Sequence, residues 1–93
     1  MPYQLIYTNS FKKDLRLAKK RNYDMKKMEE VLTLLKSGEK LPRKYKDHQL
    51  KGNLSKFREL HIQPDWLLIY TKNDTELILT LSRTGSHTEL LKK

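Results

Sequence analysis

The chain opens with a two-residue period. Tyr3, Leu5 and Tyr7 alternate with Gln4, Ile6 and Thr8, as in a strand. Thr8, Asn9 and Ser10 follow as N-cap candidates, because a short side-chain oxygen can accept from the free N–H groups of a first helical turn. The period then becomes helical. From about Phe11 to Arg21, Phe11, Leu15 and Ala18 fall on one stripe, widened by Leu17. Asn22 tolerates positive φ and suits the helix end, and Asp24 suits the next start. Met25, Met28, Leu32 and Leu35 recur at helical spacing beside Val31 and Leu34, and Gly38 closes that second helix. The short link predicts an antiparallel helix pair, and the methionines read as core.

Periodicity fails between Glu39 and Ser55, where Leu41-Pro42, Lys51-Gly52 and Asn53 signal turns. An irregular segment this long in a small domain is a functional candidate. Phe57, Glu59 and His61 then alternate with Arg58, Leu60 and Ile62 in a second strand. A turn containing Pro64 leads into Leu67 to Tyr70, a continuous apolar run of the kind a strand buried on both faces shows. A three-residue turn, Ile62-Gln63-Pro64, pairs His61 with Asp65 across the strands; a two-residue turn puts them on opposite faces. Lys72-Asn73-Asp74-Thr75 forms a hairpin turn, and Leu77, Leu79, Leu81 and Arg83 alternate with Ile78, Thr80 and Ser82 in a fourth strand. Thr84-Gly85-Ser86-His87 is expected to leave the sheet, and Glu89 to Lys93 to form a basic-ended tail. The order β-α-α-β-β-β predicts an α+β fold: a small, mostly antiparallel sheet with two N-terminal helices on one face, in a single domain over residues 1–93.

Composition narrows the function classes. Without cysteine there is no disulfide and no thiolate zinc site. No apolar run approaches the roughly 18 residues of a membrane span, and Met1 to Leu5 lacks the blocks of a signal peptide, so a soluble cytoplasmic protein is expected. The net charge of +9 favours polyanionic partners, nucleic acid or an acidic protein above all. Lys12, Lys13, Arg16, Lys19, Lys20 and Arg21 concentrate that charge on the polar face of the first helix. Such a face is either simply solvated or a surface for phosphates. Trp66 has two readings as well, core residue or platform for a nucleobase.

The candidate chemistry lies in the second half of the chain. No phosphate-cradling glycine loop, nucleophile elbow or metal-ligand spacing appears, so neither metal nor cofactor is expected. His48, His61 and His87 stand at strand ends or in loops, as do Asp65 and Arg83. Imidazole moves protons near neutral pH. RNA carries its own nucleophile, the 2′-OH, and its cleavage needs a base, an acid and a cation for the phosphorane charge. Imidazoles, a carboxylate and Arg83 suffice for that.

Three blocks then carry a resemblance: Tyr-Lys-Asp-His at 45 to 48, His-Ile-Gln-Pro-Asp-Trp-Leu-Leu-Ile-Tyr at 61 to 70, and Arg-Thr-Gly-Ser-His at 83 to 87. With the basic first helix, they make nearly the whole chain resemble the RelE/ParE superfamily of bacterial toxins, and within it the YafQ group of messenger-RNA interferases. The resemblance implies a RelE-like fold and a ribosome-dependent, metal-independent endoribonuclease. Such an enzyme cuts messenger RNA in the A site, against ribosomal RNA, with the 2′-OH as nucleophile. It implies a cognate antitoxin of the DinJ-like ribbon-helix-helix type. A small domain whose basic face is normally covered is expected to be monomeric when free, and the apolar helix faces, needed for the core, leave no membrane partner expected. The resemblance carries site roles onto His48, His61, Asp65, Arg83 and His87. His87 is assigned as general acid, His61 and Asp65 as the proton-handling pair, His48 as support and Arg83 as phosphate cation. One departure stands out: related toxins often carry a Phe near the C-terminus, where this chain has Leu90-Leu91-Lys92-Lys93. Two other functions fit the charge. A ParE-like gyrase inhibitor would use the same fold without cleavage, and a non-catalytic RNA-binding protein would have no use for the histidines.

Overall fold

A computed structural model describes residues 2–90. Its core lies between two helices and one face of a five-stranded sheet. Strand β1 (Gln4–Tyr7) runs into α1 (Asn9–Lys20), and α2 (Met25–Ser37) follows after a short link. The caps are local chemistry. The Thr8 hydroxyl accepts from the Phe11 N–H at 3.1 Å, and the Asp24 carboxylate accepts from the Lys26 N–H at 3.1 Å. Gly38 ends α2 at φ 79°, its N–H donating to the Leu35 carbonyl. Asn22 takes up positive φ, 63°, one residue beyond the cap at Arg21.

The segment expected to be irregular holds a further strand. Two 3-10 turns, Arg43–Tyr45 and Gly52–Leu54, flank β2 (His48–Gln49). The chain then runs through β3 (Arg58–Gln63), β4 (Trp66–Asn73) and β5 (Ile78–Gly85) to α3 (His87–Leu90). The sheet therefore has five strands, not four, in the order β1-β5-β4-β3-β2. β1 pairs with β5 in parallel and every other pair is antiparallel. Two residues carry no periodicity, so β2 exists through its partners: His48 opposite Glu59 and Gln49 opposite Arg58. Thr84 and Gly85 stay in the sheet, opposite Leu68 and Leu67, where the chain was expected to leave it. A bulge at Ser82 makes room, two residues of β5 passing one step of β4.

Helix α1 packs on β5 and α2 on β3. Phe11, Ala18, Met28, Val31 and Leu35 meet Leu60, Ile62, Leu68, Tyr70, Leu79 and Leu81 in one cluster. Trp66 belongs to it at 2% exposure, and its indole N–H donates to the Thr84 hydroxyl at 2.9 Å. Thr84 donates in turn to the Leu67 carbonyl at 2.7 Å, so a buried polar pair is satisfied throughout. The methionine reading is met by Met28, buried in this cluster, with Met25 packed against it. Leu91, Lys92 and Lys93, the tail that departs from the related pattern, lie outside the described residues.

Candidate active site

The second face of the sheet carries the chemistry. Side chains alternate along a strand, so Glu59 and His61 of β3 point away from the helices while Leu60 and Ile62 point toward them. His48 lies opposite Glu59, His61 opposite Leu67, and Arg83 opposite Ile69. Three imidazoles form a row: the rings of His48 and His61 are 6.5 Å apart and those of His61 and His87 5.6 Å, centre to centre.

Glu59 anchors one end. Its Oε1 lies 3.5 Å from Nε2 of His48 and 3.6 Å from Nε2 of His61. The side chain is nearly buried, and its Oε2 has no hydrogen-bond partner among the described residues. An unpartnered buried carboxylate oxygen is costly and calls for a functional explanation. In the sequence Glu59 is an ordinary alternating position of its strand. The carbonyl of Lys46 sits 2.6 Å from Nδ1 of His48. A carbonyl only accepts, so that nitrogen carries a proton and Nε2 is left to Glu59.

Asp65 and His87 form the other end. Turn geometry decides their pairing. β3 and β4 are joined by a two-residue turn, Pro64–Asp65, with Gln63 opposite Trp66 and a bulge between His61 and Gln63. The cross-strand pair of His61 with Asp65 therefore does not form. Asp65 Oδ1 instead lies 2.7 Å from Nδ1 of His87 and accepts the His87 backbone N–H at 3.1 Å. The hydrogen bonds from His87, ring first and backbone second, hold the Asp65 carboxyl below its usual range. His87 opens α3, and a capping box sets that turn. The Ser86 N–H donates to Glu89 Oε1 at 2.8 Å, and the Glu89 N–H donates to Ser86 Oγ at 3.2 Å. Glu89 also pairs with Arg21 beyond the end of α1. The Ser-x-x-Glu spacing is legible in the sequence, and it starts a helical turn where a tail is expected from Glu89 onward.

Arg83 is engaged elsewhere. Its Nε donates to Asp14 Oδ2 at 2.6 Å and its Nη2 to Oδ1 at 3.3 Å, and these hydrogen bonds to Asp14 raise its pKa. The Thr84 N–H donates to the same carboxylate at 3.0 Å, so Asp14 ties α1 to β5. The five basic residues of α1, Lys12, Lys13, Arg16, Lys19 and Lys20, are exposed. Trp66 is not: its burial removes it from any stacking role. Among the described residues no group of three or more His, Cys, Asp or Glu has the arrangement to hold a metal ion.

A mixed five-stranded sheet under two helices, with imidazoles and carboxylates in a row on the bare face, defines a RelE-like α+β protein. Residues 3–92 match the model of a family described as bacterial toxin of type II toxin–antitoxin system, YafQ. The chain belongs to that family. It is 42% identical, over 85 residues and 90% of each chain, to the mRNA interferase toxin YafQ of Escherichia coli K12. It superimposes on a chain of the E. coli DinJ–YafQ toxin–antitoxin complex with a TM-score of 0.88, at 40% identity, covering 97% of this chain and 98% of that one. A metal-bound toxin from Helicobacter pylori matches with a TM-score of 0.87, at 42% identity, covering 97% and 99%.

Proposed function

We propose that this toxin is an mRNA interferase, an endoribonuclease that cuts messenger RNA at A-site codons on the ribosome by attack of the RNA's own 2′-OH. The observation that carries the reading is the row His48–His61–His87 with a carboxylate at each end, Glu59 and Asp65. The His48–His61–Glu59 end takes the 2′-OH proton. The 2′-oxygen bonds to phosphorus, and the bond to the 5′-oxygen breaks. His87 gives that oxygen its proton, leaving a 2′,3′-cyclic phosphate and a 5′-hydroxyl. With Asp65 ionised, Nδ1 of His87 keeps the proton shared with it, so the acid in the scheme is the imidazolium, whose second proton on Nε2 is the one given to the 5′-oxygen. Arg83 serves the phosphorane charge after exchanging Asp14 for phosphate. Lys12, Lys13, Arg16, Lys19 and Lys20 contact the backbone of messenger or ribosomal RNA. The nucleophile comes with the substrate, so the scheme needs no metal or cofactor.

Between rounds of activity the toxin is held by a cognate antitoxin, as the partnership named for the E. coli relative suggests, and we infer a DinJ-like ribbon-helix-helix protein. The free toxin acts as a monomer in the cytoplasm. No helix among the described residues is long and apolar enough to cross a membrane. A gyrase-binding module would have no use for the imidazole row.

Primer extension on a messenger in a purified translation system tests the reading. Wild type is expected to cut at A-site codons only when ribosomes are present. His87→Ala is expected to lose roughly 10²- to 10⁴-fold in rate, the usual worth of a general acid. An intact message with wild type, or equal cutting by the variant, overturns it.

A further inference from the structure

Asp47, Arg58 and Tyr70 form a network on the side of the sheet away from the imidazoles. Arg58 precedes Glu59 on β3 and is the cross-strand partner of Tyr70. Asp47 precedes His48. Neighbouring residues of a strand face opposite ways, so the network lies directly behind the His48–Glu59 pair. The Tyr70 hydroxyl donates to Asp47 Oδ1. Arg58 Nη2 donates to Asp47 Oδ2 at 3.0 Å, with its Nε 3.4 Å from Oδ1. Tyr70 is buried, and its phenol pKa is raised by that burial and then by Asp47; Asp47 also raises the pKa of Arg58. All three side chains line a cleft of about 530 Å³ with Lys40, Arg43, Lys46 and Lys72, on the helix side of the sheet. A group in that wall does not reach an RNA held over the imidazoles.

The position of β2 makes the network consequential. This strand is two residues long and lies at the sheet edge, so its ladder to β3 is short. Short edge elements open locally at low free energy. His48 rides on this strand, and its approach to Glu59 is set by where the strand sits. Asp47 is the neighbouring residue that fastens it, through hydrogen bonds to charged and buried partners on β3 and β4.

We propose that Asp47, Arg58 and Tyr70 are positioning residues that hold β2 so that His48 stays over Glu59, and thereby set the proton-accepting end of the site. The inference rests on the nuclease reading for its kinetic consequence, but its structural part is tested separately. Tyr70→Phe removes only the hydroxyl and keeps the buried ring; Asp47→Asn weakens both arms. In ¹H–¹⁵N spectra of the free toxin, both variants move the ring signals of His48 and leave those of His87 in place. In ribosome-bound cleavage, kcat per folded molecule falls about tenfold to a hundredfold at unchanged KM, as displacement of a reacting group predicts. Thermal melts supply the folded fraction. Unmoved His48 signals in Tyr70→Phe overturn the proposal, as does a kcat per folded molecule equal to wild type. If wild type does not cleave, the nuclease reading fails and the His48 signals alone decide the positioning role.

Discussion

One oxygen of Asp65 meets His87 twice, at the ring Nδ1 and at the backbone N–H. The contact fixes where the ring sits and which of its nitrogens is free. It also gives a pH signature. The Asp65 carboxyl is held below its ordinary value of 3.8, first by the His87 ring and then by the backbone N–H. A carboxylate with a depressed folded pKa stabilises fully above its unfolded value, and that contribution disappears as pH falls through the folded one. The tether is therefore intact at neutral pH and releases only as the pH drops below 3.8. A titration of the His87 backbone amide will record an acid transition in wild type and none in Asp65→Asn. Identical curves would remove Asp65 from the tether.

The capping box bears on the same imidazole from the other side. Ser86→Ala and Glu89→Ala each loosen α3, at a cost of about 0.5–2 kcal/mol to that turn. Because α3 is short and carries His87, the expected result is a lower kcat with little change in melting temperature. A fall in melting temperature with kcat intact would separate the cap from the site.

Thr84 supports the core without touching the imidazoles. Its hydroxyl satisfies the Trp66 indole and the Leu67 carbonyl. Thr84→Val keeps the shape and leaves the buried indole N–H without this partner, so it should destabilise the fold by about 1–3 kcal/mol. Urea unfolding measures this. A loss below about 0.5 kcal/mol would mean that water satisfies the indole N–H.

The basic face of α1 predicts a split between binding and turnover. Replacing Lys12, Lys13 and Arg16 by Gln should raise KM for ribosome-bound message and leave kcat unchanged. Phosphate contacts position a nucleic acid and do not take part in bond breaking. The dependence of affinity on salt should become shallower by roughly 0.7–0.9 per phosphate contact removed. An unchanged salt slope would assign this face to solvent.

Tyr70 predicts behaviour in base. Burial raises its pKa above the ordinary 10.0, with Asp47 adding to the effect. A raised folded pKa stabilises fully below the unfolded value and is lost as pH rises. Spectrophotometric titration should find a phenol in wild type that resists ionisation above pH 10.0 and is missing in Tyr70→Phe. Loss of no such component would place another tyrosine in that role.

The legible features were local ones. Thr8, Asp24 and Gly38 act on groups two to three residues away, so a helix start or stop could be read from them directly. The alternation around Leu60 and Leu79 marked strands for the same reason. β2 was invisible because two residues hold no period and are a strand only by virtue of Glu59 and Arg58. The His61–Asp65 pairing depended on a turn length that a bulge altered. Asp65 found its partner 22 positions away and Asp14 found Arg83 69 positions away, distances at which no spacing rule applies. Glu59 was hidden by its ordinary place in an alternating strand; its burial was the signal, and burial belongs to the fold.

The parallel pairing of β1 with β5 has a consequence for synthesis. Leu5 meets Leu79 and the Thr8 hydroxyl donates to the Leu81 carbonyl, so the earliest strand made waits for the last. β5 also separates β1 from β4, and until it emerges the sheet has a gap at an inner position. Contacts of such long sequence separation slow folding, because loop closure precedes its reward. His87 lies beyond β5 and arrives later still. A nascent chain therefore cannot assemble the imidazole row while most of it is still being made.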